Sequence, residues 1–247
     1  MEKPVLVEMK EISKNFGAVK ALQKVDLELN YNEVLGLVGD NAAGKSTLMK
    51  ILSGVYTPDE GEIFIERKKV EFHSPADSRR LGIEMIYQDL AIIPNLSIAG
   101  NIFLGREPVK SILGMKIMNK KKMIEESQWA VEQLDVDIRS TKMSSRDLSG
   151  GQQQAVAVGR AIFFNPRIII MDEPTAALSV KGIRKVLDLV GKLKERGISI
   201  ILISHRLPNI FSVTDRIIIL RTGRRVGKRI TKDTTPKEII DLMVGMD

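Results

Sequence analysis

Residues 39–47 read GDNAAGKST, two glycines five apart followed by a lysine and two hydroxyl residues. They come directly after the apolar run 34–38 and directly before a helical pattern. In that setting backbone N–H groups converge on phosphate oxygens, aided by the positive end of the following helix. Gly39, Asn41, Ala42 and Gly44 would shape the cradle, and Lys45 would supply a point charge to the outer phosphates of a nucleotide. Ser46 is placed to offer its hydroxyl to Mg²⁺, and Thr47 stands as a second hydroxyl near the inner phosphates. The competing reading is a glycine-containing turn before a helix.

A second constellation is 167–173, RIIIMDE, an apolar strand that ends in two adjacent acids and then Pro174. Buried strands rarely finish on paired charges for packing reasons. Asp172 can hold a Mg²⁺-bound water, and Glu173, pointing elsewhere, can polarise an attacking water as general base. An acid capping the next helix would explain one carboxylate but not the pair.

The elements that must position these groups follow from periodicity. Short β-rich runs at 5–9 and near 25–29 predict an antiparallel amino-terminal portion, and the continuous apolar run 34–38 predicts a buried parallel strand. A helix from Lys45 ends near Gly54, before a turn at 57–61 and a strand at 62–65. Between about 89 and 147 β-branched runs thin out and a helix is predicted over 119–134, so this segment reads as a helical insert. Helix 150–165, strand 168–171, helix 180–196 and strand 198–203 then alternate as in a parallel α/β sheet. A final strand pair and a helix over 236–244 close the chain.

Composition narrows the function classes. The chain has 247 residues, enough for one domain with a subdomain but not for a second domain of the same kind. It has no cysteine, which excludes a disulfide framework and a thiolate metal site. No apolar run approaches the roughly 20 residues that cross a bilayer, and residues 1–10 read as a strand rather than a signal peptide. The net charge of +7 is spread out, with modest clusters at 120–122 and 221–229, and aromatic content is only 4 %. That is a solvated surface rather than a nucleic-acid footprint, so no nucleic-acid partner is expected.

Residues 148–152 read LSGGQ. With the phosphate loop before it and the acid pair after it, the chain resembles the nucleotide-binding subunits of ABC transporters over essentially its whole length. The resemblance implies an α/β fold: a P-loop ABC ATPase core with a mostly parallel sheet, an antiparallel β subdomain near the amino terminus and a helical subdomain at about 89–147. It implies a single ABC ATPase domain over 1–247, with ATP and Mg²⁺ as cofactors. Gln88 resembles the glutamine that reaches the metal and the nucleophilic water, and His205 the switch histidine near the γ-phosphate, so both join Glu173 as catalytic candidates. Metal contacts would come from Ser46, Gln88 and Asp172. Phe16 resembles the aromatic residue that stacks on adenine. Ser149, Gly150, Gly151 and Gln152 would meet the γ-phosphate held by the opposite subunit. Two departures stand out: Ala42 where glycine is frequent, and Ser179 where the segment after the acid pair usually has aspartate.

The stretches 87–107, 150–164 and 243–245 look like sugar importers of the ribose, xylose and fructose type. This resemblance implies transmembrane permease subunits as partners, a second ATPase subunit (a homodimer, or pairing with a separate ATPase chain), indirect cooperation with a substrate-binding protein, and a place on the cytoplasmic face of the cell membrane. An exporter ATPase shares the same motifs, and a soluble ABC ATPase acting on nucleic acid or ribosomes is the rival class.

Overall fold

The computed structural model describes residues 4–112, 114–132, 138–176 and 178–246. Its elements are β1 (Val5–Phe16), β2 (Val19–Asn30), β3 (Val34–Gly39), α1 (Lys45–Leu52), β4 (Glu60–Ile65), β5 (Lys68–Val70), α2 (Pro75–Arg80), β6 (Ile83–Ile86) and α3 (Ile98–Ile102). There follow β7 (Val109–Ile112), β8 (Met115–Met118), α4 (Lys120–Glu132), α5 (Gly150–Phe163), β9 (Ile168–Asp172), α6 (Val180–Glu195), β10 (Ser199–Ile203), α7 (Leu207–Val213), β11 (Arg216–Arg221), β12 (Arg224–Ile230) and α8 (Pro236–Val244).

A six-stranded sheet, in the order β12-β11-β3-β10-β9-β6, carries the core. Five of its strands are parallel, and β12 adds an antiparallel edge. β3, β9 and β10 are buried along their whole lengths, which is why each reads as an unbroken apolar run. Alternate residues feed opposite faces. Leu35, Leu37, Ile168, Ile170, Ile201 and Ile203 join a core shared with α1 and the amino-terminal sheet. Val34, Val38, Ile169, Met171, Ile200 and Leu202 join a second core beneath α5, α6, α7 and α8. Val190 and Leu193 of α6 face that second core, and Val186 is buried one turn before them along the groove to α5.

The amino-terminal sheet has the order β2-β1-β4-β5 and is antiparallel throughout. Its first two strands are each twelve residues long, well beyond the expected 5–9 and 25–29, because charged residues interrupt the apolar pattern while the pairing continues past them through register shifts such as the one between Met9 and Ile12. A third, smaller core of Ile98, Ala99, Ile102, Phe103, Met123, Val131, Leu148 and Val156 joins α3, α4 and α5. The segment expected to be helical also contains the antiparallel hairpin β7–β8, in which valine and isoleucine flank a turn at Gly114. α4 begins at Lys120, and position 134, the expected end of that helix, lies outside the described residues.

Candidate functional site

The site forms where parallel strands end. β3 runs out at Gly39, the chain loops, and α1 begins at Lys45 with Leu48, Met49, Ile51 and Leu52 anchored in the core. The N-terminus of α1 therefore opens at the carboxyl edge of the sheet, where backbone N–H groups have no intrahelical partner. Two glycines are sterically required. A Cβ on Gly39 would lie 2.2 Å from the Leu220 carbonyl oxygen, and Gly44, at φ +98°, would press a Cβ to 2.7 Å from the Ala21 carbonyl oxygen. Ala42 takes φ +64°, inside the small left-handed region that a Cβ tolerates, so its backbone still makes the turn.

Lys45 curls back over this loop and donates from Nζ to the carbonyl oxygens of Gly39 and Asp40, both at 2.8 Å. Burial pushes its pKa down, while Glu173, Asp172 and Asp40 pull the other way. Asp172 ends β9 beside Ile203 of β10 and is only 4 % exposed. Burial raises its pKa, a tendency the Ser46 hydroxyl and Lys45 oppose. Its Oδ1 is buried with no hydrogen-bond partner among the described residues. An orphaned carboxylate oxygen beside a serine hydroxyl, under a phosphate-type loop, is a donor set suited to a hard divalent cation.

Glu173 adopts φ +50°, a left-handed turn that swings its side chain away from that of Asp172. Its N–H donates to the Ile203 carbonyl (3.1 Å), Oε1 accepts the His205 N–H (2.9 Å), and Oε2 meets His205 Nδ1 at 2.8 Å. One cavity of about 800 Å³ is lined by the whole loop 39–47 together with Gln88, Asp172, Glu173 and His205. The structure thus brings together Gly39, Asn41, Ala42, Gly44, Lys45, Ser46, Thr47, Gln88, Asp172, Glu173 and His205. Val19, Lys20 and Ala21 of β2 and Met243 also line it, positions that sequence reasoning missed because none carries a chemical signature.

Phe16 is not among the residues lining the cavity. It ends β1 opposite Val19, half-exposed, with its ring edge-on to Tyr56 at 5.2 Å, and so flanks the rim through its hairpin partners. Ser149, Gly150, Gly151 and Gln152 lie apart as well. Ser149 caps α5 in a reciprocal box with Gln152, whose Oε1 accepts the Ser149 N–H at 3.0 Å. Gly150 and Gly151 have open space where a Cβ would stand. Ser149, Gly151 and Gln152 line a separate groove of about 320 Å³ between α5 and α6. Ser179 caps α6, its hydroxyl accepting the Gly182 N–H. The structure also reveals Arg160 of α5, whose guanidinium donates to the carbonyls of Leu90 and Ala91 at 3.0 and 3.2 Å. It fastens the segment after Gln88 to the helix that Ser149 begins.

The sequence profile described as "ABC transporter" matches residues 22–176. The chain belongs to the ABC transporter family. Among relatives of this family, the xylose/arabinose import ATP-binding protein XylG of Sulfolobus acidocaldarius is 49 % identical over 97 % of this chain and 94 % of its own length. The fructose import ATP-binding protein FrcA of Rhizobium meliloti is 44 % identical over 99 % of this chain and 95 % of its own. The ADP conformation of an ATP-binding cassette of an ABC transporter superposes with a TM-score of 0.83 at 26 % identity, covering 98 % of this chain and 99 % of that one. As an ABC transporter chain of this kind it is an ATPase whose hydrolysis is coupled to transport, and its fold is the α/β cassette of that family. Among the described residues no helix is long and apolar enough to cross a membrane.

Proposed function

We propose that this chain binds ATP with Mg²⁺ in the 800 Å³ cavity and hydrolyses it to drive sugar import through transmembrane permease subunits. The observation that carries the reading is the convergence of Lys45, Asp172, Glu173, Gln88 and His205 on one cavity at the carboxyl edge of the sheet. The sugar is suggested by the xylose/arabinose and fructose import relatives. On this reading residues 1–247 act as one ATPase domain, and the layer built on the third core, within about 89–147, is its helical subdomain.

Lys45 exchanges the carbonyls of Gly39 and Asp40 for the outer phosphate oxygens, which restores the charge that burial disfavours. The loop N–H groups and Thr47 hold the inner phosphates. Ser46 and Asp172 would hold Mg²⁺, with Gln88 on the same cavity, and the ion would neutralise charge on the β- and γ-phosphates. Glu173 takes the proton of the attacking water, and His205, already bound to it at two points, orients the carboxylate and faces the γ-phosphate. Phe16 stacks on the base from the rim.

The groups 149–152 lie outside the cavity that holds Lys45, so a second ATPase subunit placed head to tail supplies them. The subunit then works at the cytoplasmic face of the membrane, with a substrate-binding protein acting only through the permease. The test is ATP hydrolysis by the assembly reconstituted with its permease and binding protein. Stimulation by a pentose or hexose is expected, and a rate that no sugar changes overturns the import reading.

A further inference from the structure

The hairpin β7–β8 is a two-stranded sheet whose ladder has no third strand among the described residues. All eight strand residues are exposed, and Val109, Ile112, Met115, Ile117 and Met118 are each between 42 % and 61 % exposed. The register sets Val109 opposite Met118 and Ser111 opposite Lys116 on one face, with Lys110 opposite Ile117 and Ile112 opposite Met115 on the other. Both faces therefore carry large apolar side chains and one lysine, and neither packs on a core. An isolated ribbon of this size is marginal in water, so its apolar surface calls for a partner.

Lysines outnumber acids around it, with Glu107 before the hairpin and Glu125 and Glu126 after it. Residues 108–124 hold five lysines (110, 116, 120, 121 and 122) and no aspartate or glutamate. Lys121 and Lys122 reach Glu125 and Glu126 one turn along α4, at 3.8 and 3.6 Å, in exposed pairs, which leaves Lys110, Lys116 and Lys120 as the positive charge beside the ribbon. Each face carries apolar side chains together with one lysine. Lysine stems lie along apolar surface while their ammonium groups stay at the water side, where acidic headgroups offer counter-charge.

We propose that the hairpin β7–β8, with the lysines that open α4, seats in the interface of an anionic lipid membrane. Valine, isoleucine and methionine enter the headgroup boundary while Lys110, Lys116 and Lys120 meet lipid phosphates and carboxylates. This contact lies outside the ATP cavity and gives the subunit a hold on lipid in addition to its hold on a permease.

Flotation of the full chain with vesicles of phosphatidylcholine, alone or mixed with phosphatidylserine, tests it. Partitioning about tenfold stronger into the serine-containing vesicles is expected, falling as salt rises. Ile112→Glu combined with Met115→Glu should lower that partitioning about tenfold, and Lys110→Gln combined with Lys116→Gln should abolish the preference for anionic lipid. Because these side chains are exposed, both variants should keep the wild-type Tm and basal ATPase rate, which separates failure here from failure of the ATPase reading. Wild-type protein that floats with neither vesicle overturns the proposal. So does equal flotation of the Ile112→Glu, Met115→Glu variant. Loss of permease association in detergent by that variant, without vesicle binding by the wild type, assigns the hairpin to a protein partner instead.

Discussion

His205 and Glu173 grip each other at two points, backbone N–H to Oε1 at 2.9 Å and ring Nδ1 to Oε2 at 2.8 Å, although 32 positions separate them in the chain. The contact exists because β9 and β10 are parallel neighbours ending in register, Asp172 opposite Ile203. If Glu173 is the base, Glu173→Gln keeps the size and an oxygen acceptor but not the basicity. ATP should then bind and the head-to-tail dimer should accumulate while hydrolysis falls by at least about 100-fold. Light scattering with and without Mg-ATP reads the dimer. Normal turnover by this variant rules Glu173 out as the base.

Asp172→Asn should behave differently. Burial holds the Asp172 pKa above its ordinary value of 3.8, so its contribution to stability is present below that value and lost as pH rises through the folded one. At neutral pH the ligand-free protein therefore carries an unfavourable buried charge. Asparagine removes it, and the variant without nucleotide should melt at a higher temperature than the wild type. Mg-ATP should then add less to the variant's Tm than to the wild type's, since the cation loses a ligand. A lower Tm in the ligand-free variant contradicts the buried-charge reading, and an undiminished Mg-ATP increment removes Asp172 from the cation site.

Phe16→Ala should weaken ATP binding by about 1–2 kcal/mol, the scale of an aromatic ring stacked on a base, while Phe16→Tyr should change little. Phe16 is half-exposed and touches Tyr56 edge-on rather than filling a core, so the melting temperature should hardly move. Nucleotide titration of the alanine variant checks this. Unchanged affinity removes Phe16 from the binding site.

Glu66 joins Tyr31 of the amino-terminal portion to Arg167, next to β9, and Arg167 and the Tyr31 hydroxyl together hold its pKa down to about 2. A depressed carboxyl pKa contributes stability above the unfolded value of 4.5 that is lost as pH falls toward 2. The group is fully exposed, so the effect is small and screened by salt. Glu66→Gln should lower Tm slightly at neutral pH and flatten its decline between about pH 4.5 and 2, while ATP binding at pH 7 stays unchanged. An identical decline in the variant shows that the clasp contributes nothing.

Contiguous residues fixed the phosphate loop and the acid pair. Gly39 and Gly44 are demanded by backbone clashes with Leu220 and Ala21, Lys45 and Ser46 follow at once in α1, and Asp172 and Glu173 close one apolar strand, so local spacing carries these groups. The continuous apolar runs of β3, β9 and β10 likewise announced a sheet buried on both faces. Which strands are neighbours is a non-local choice, made when both faces of the sheet are covered, and it alone decided that Gln88 and His205 reach the same cavity. It also decided that Phe16 ends on the rim and that Ser149–Gly151 face elsewhere, because those positions depend on a hairpin and a helix cap rather than on any motif. The Arg160 tie to Leu90 and Ala91 and the exposed ribbon β7–β8 gave no periodic signal. One depends on carbonyls 69 and 70 positions away, and in the other lysines on both faces break the alternation that a one-sided strand would show.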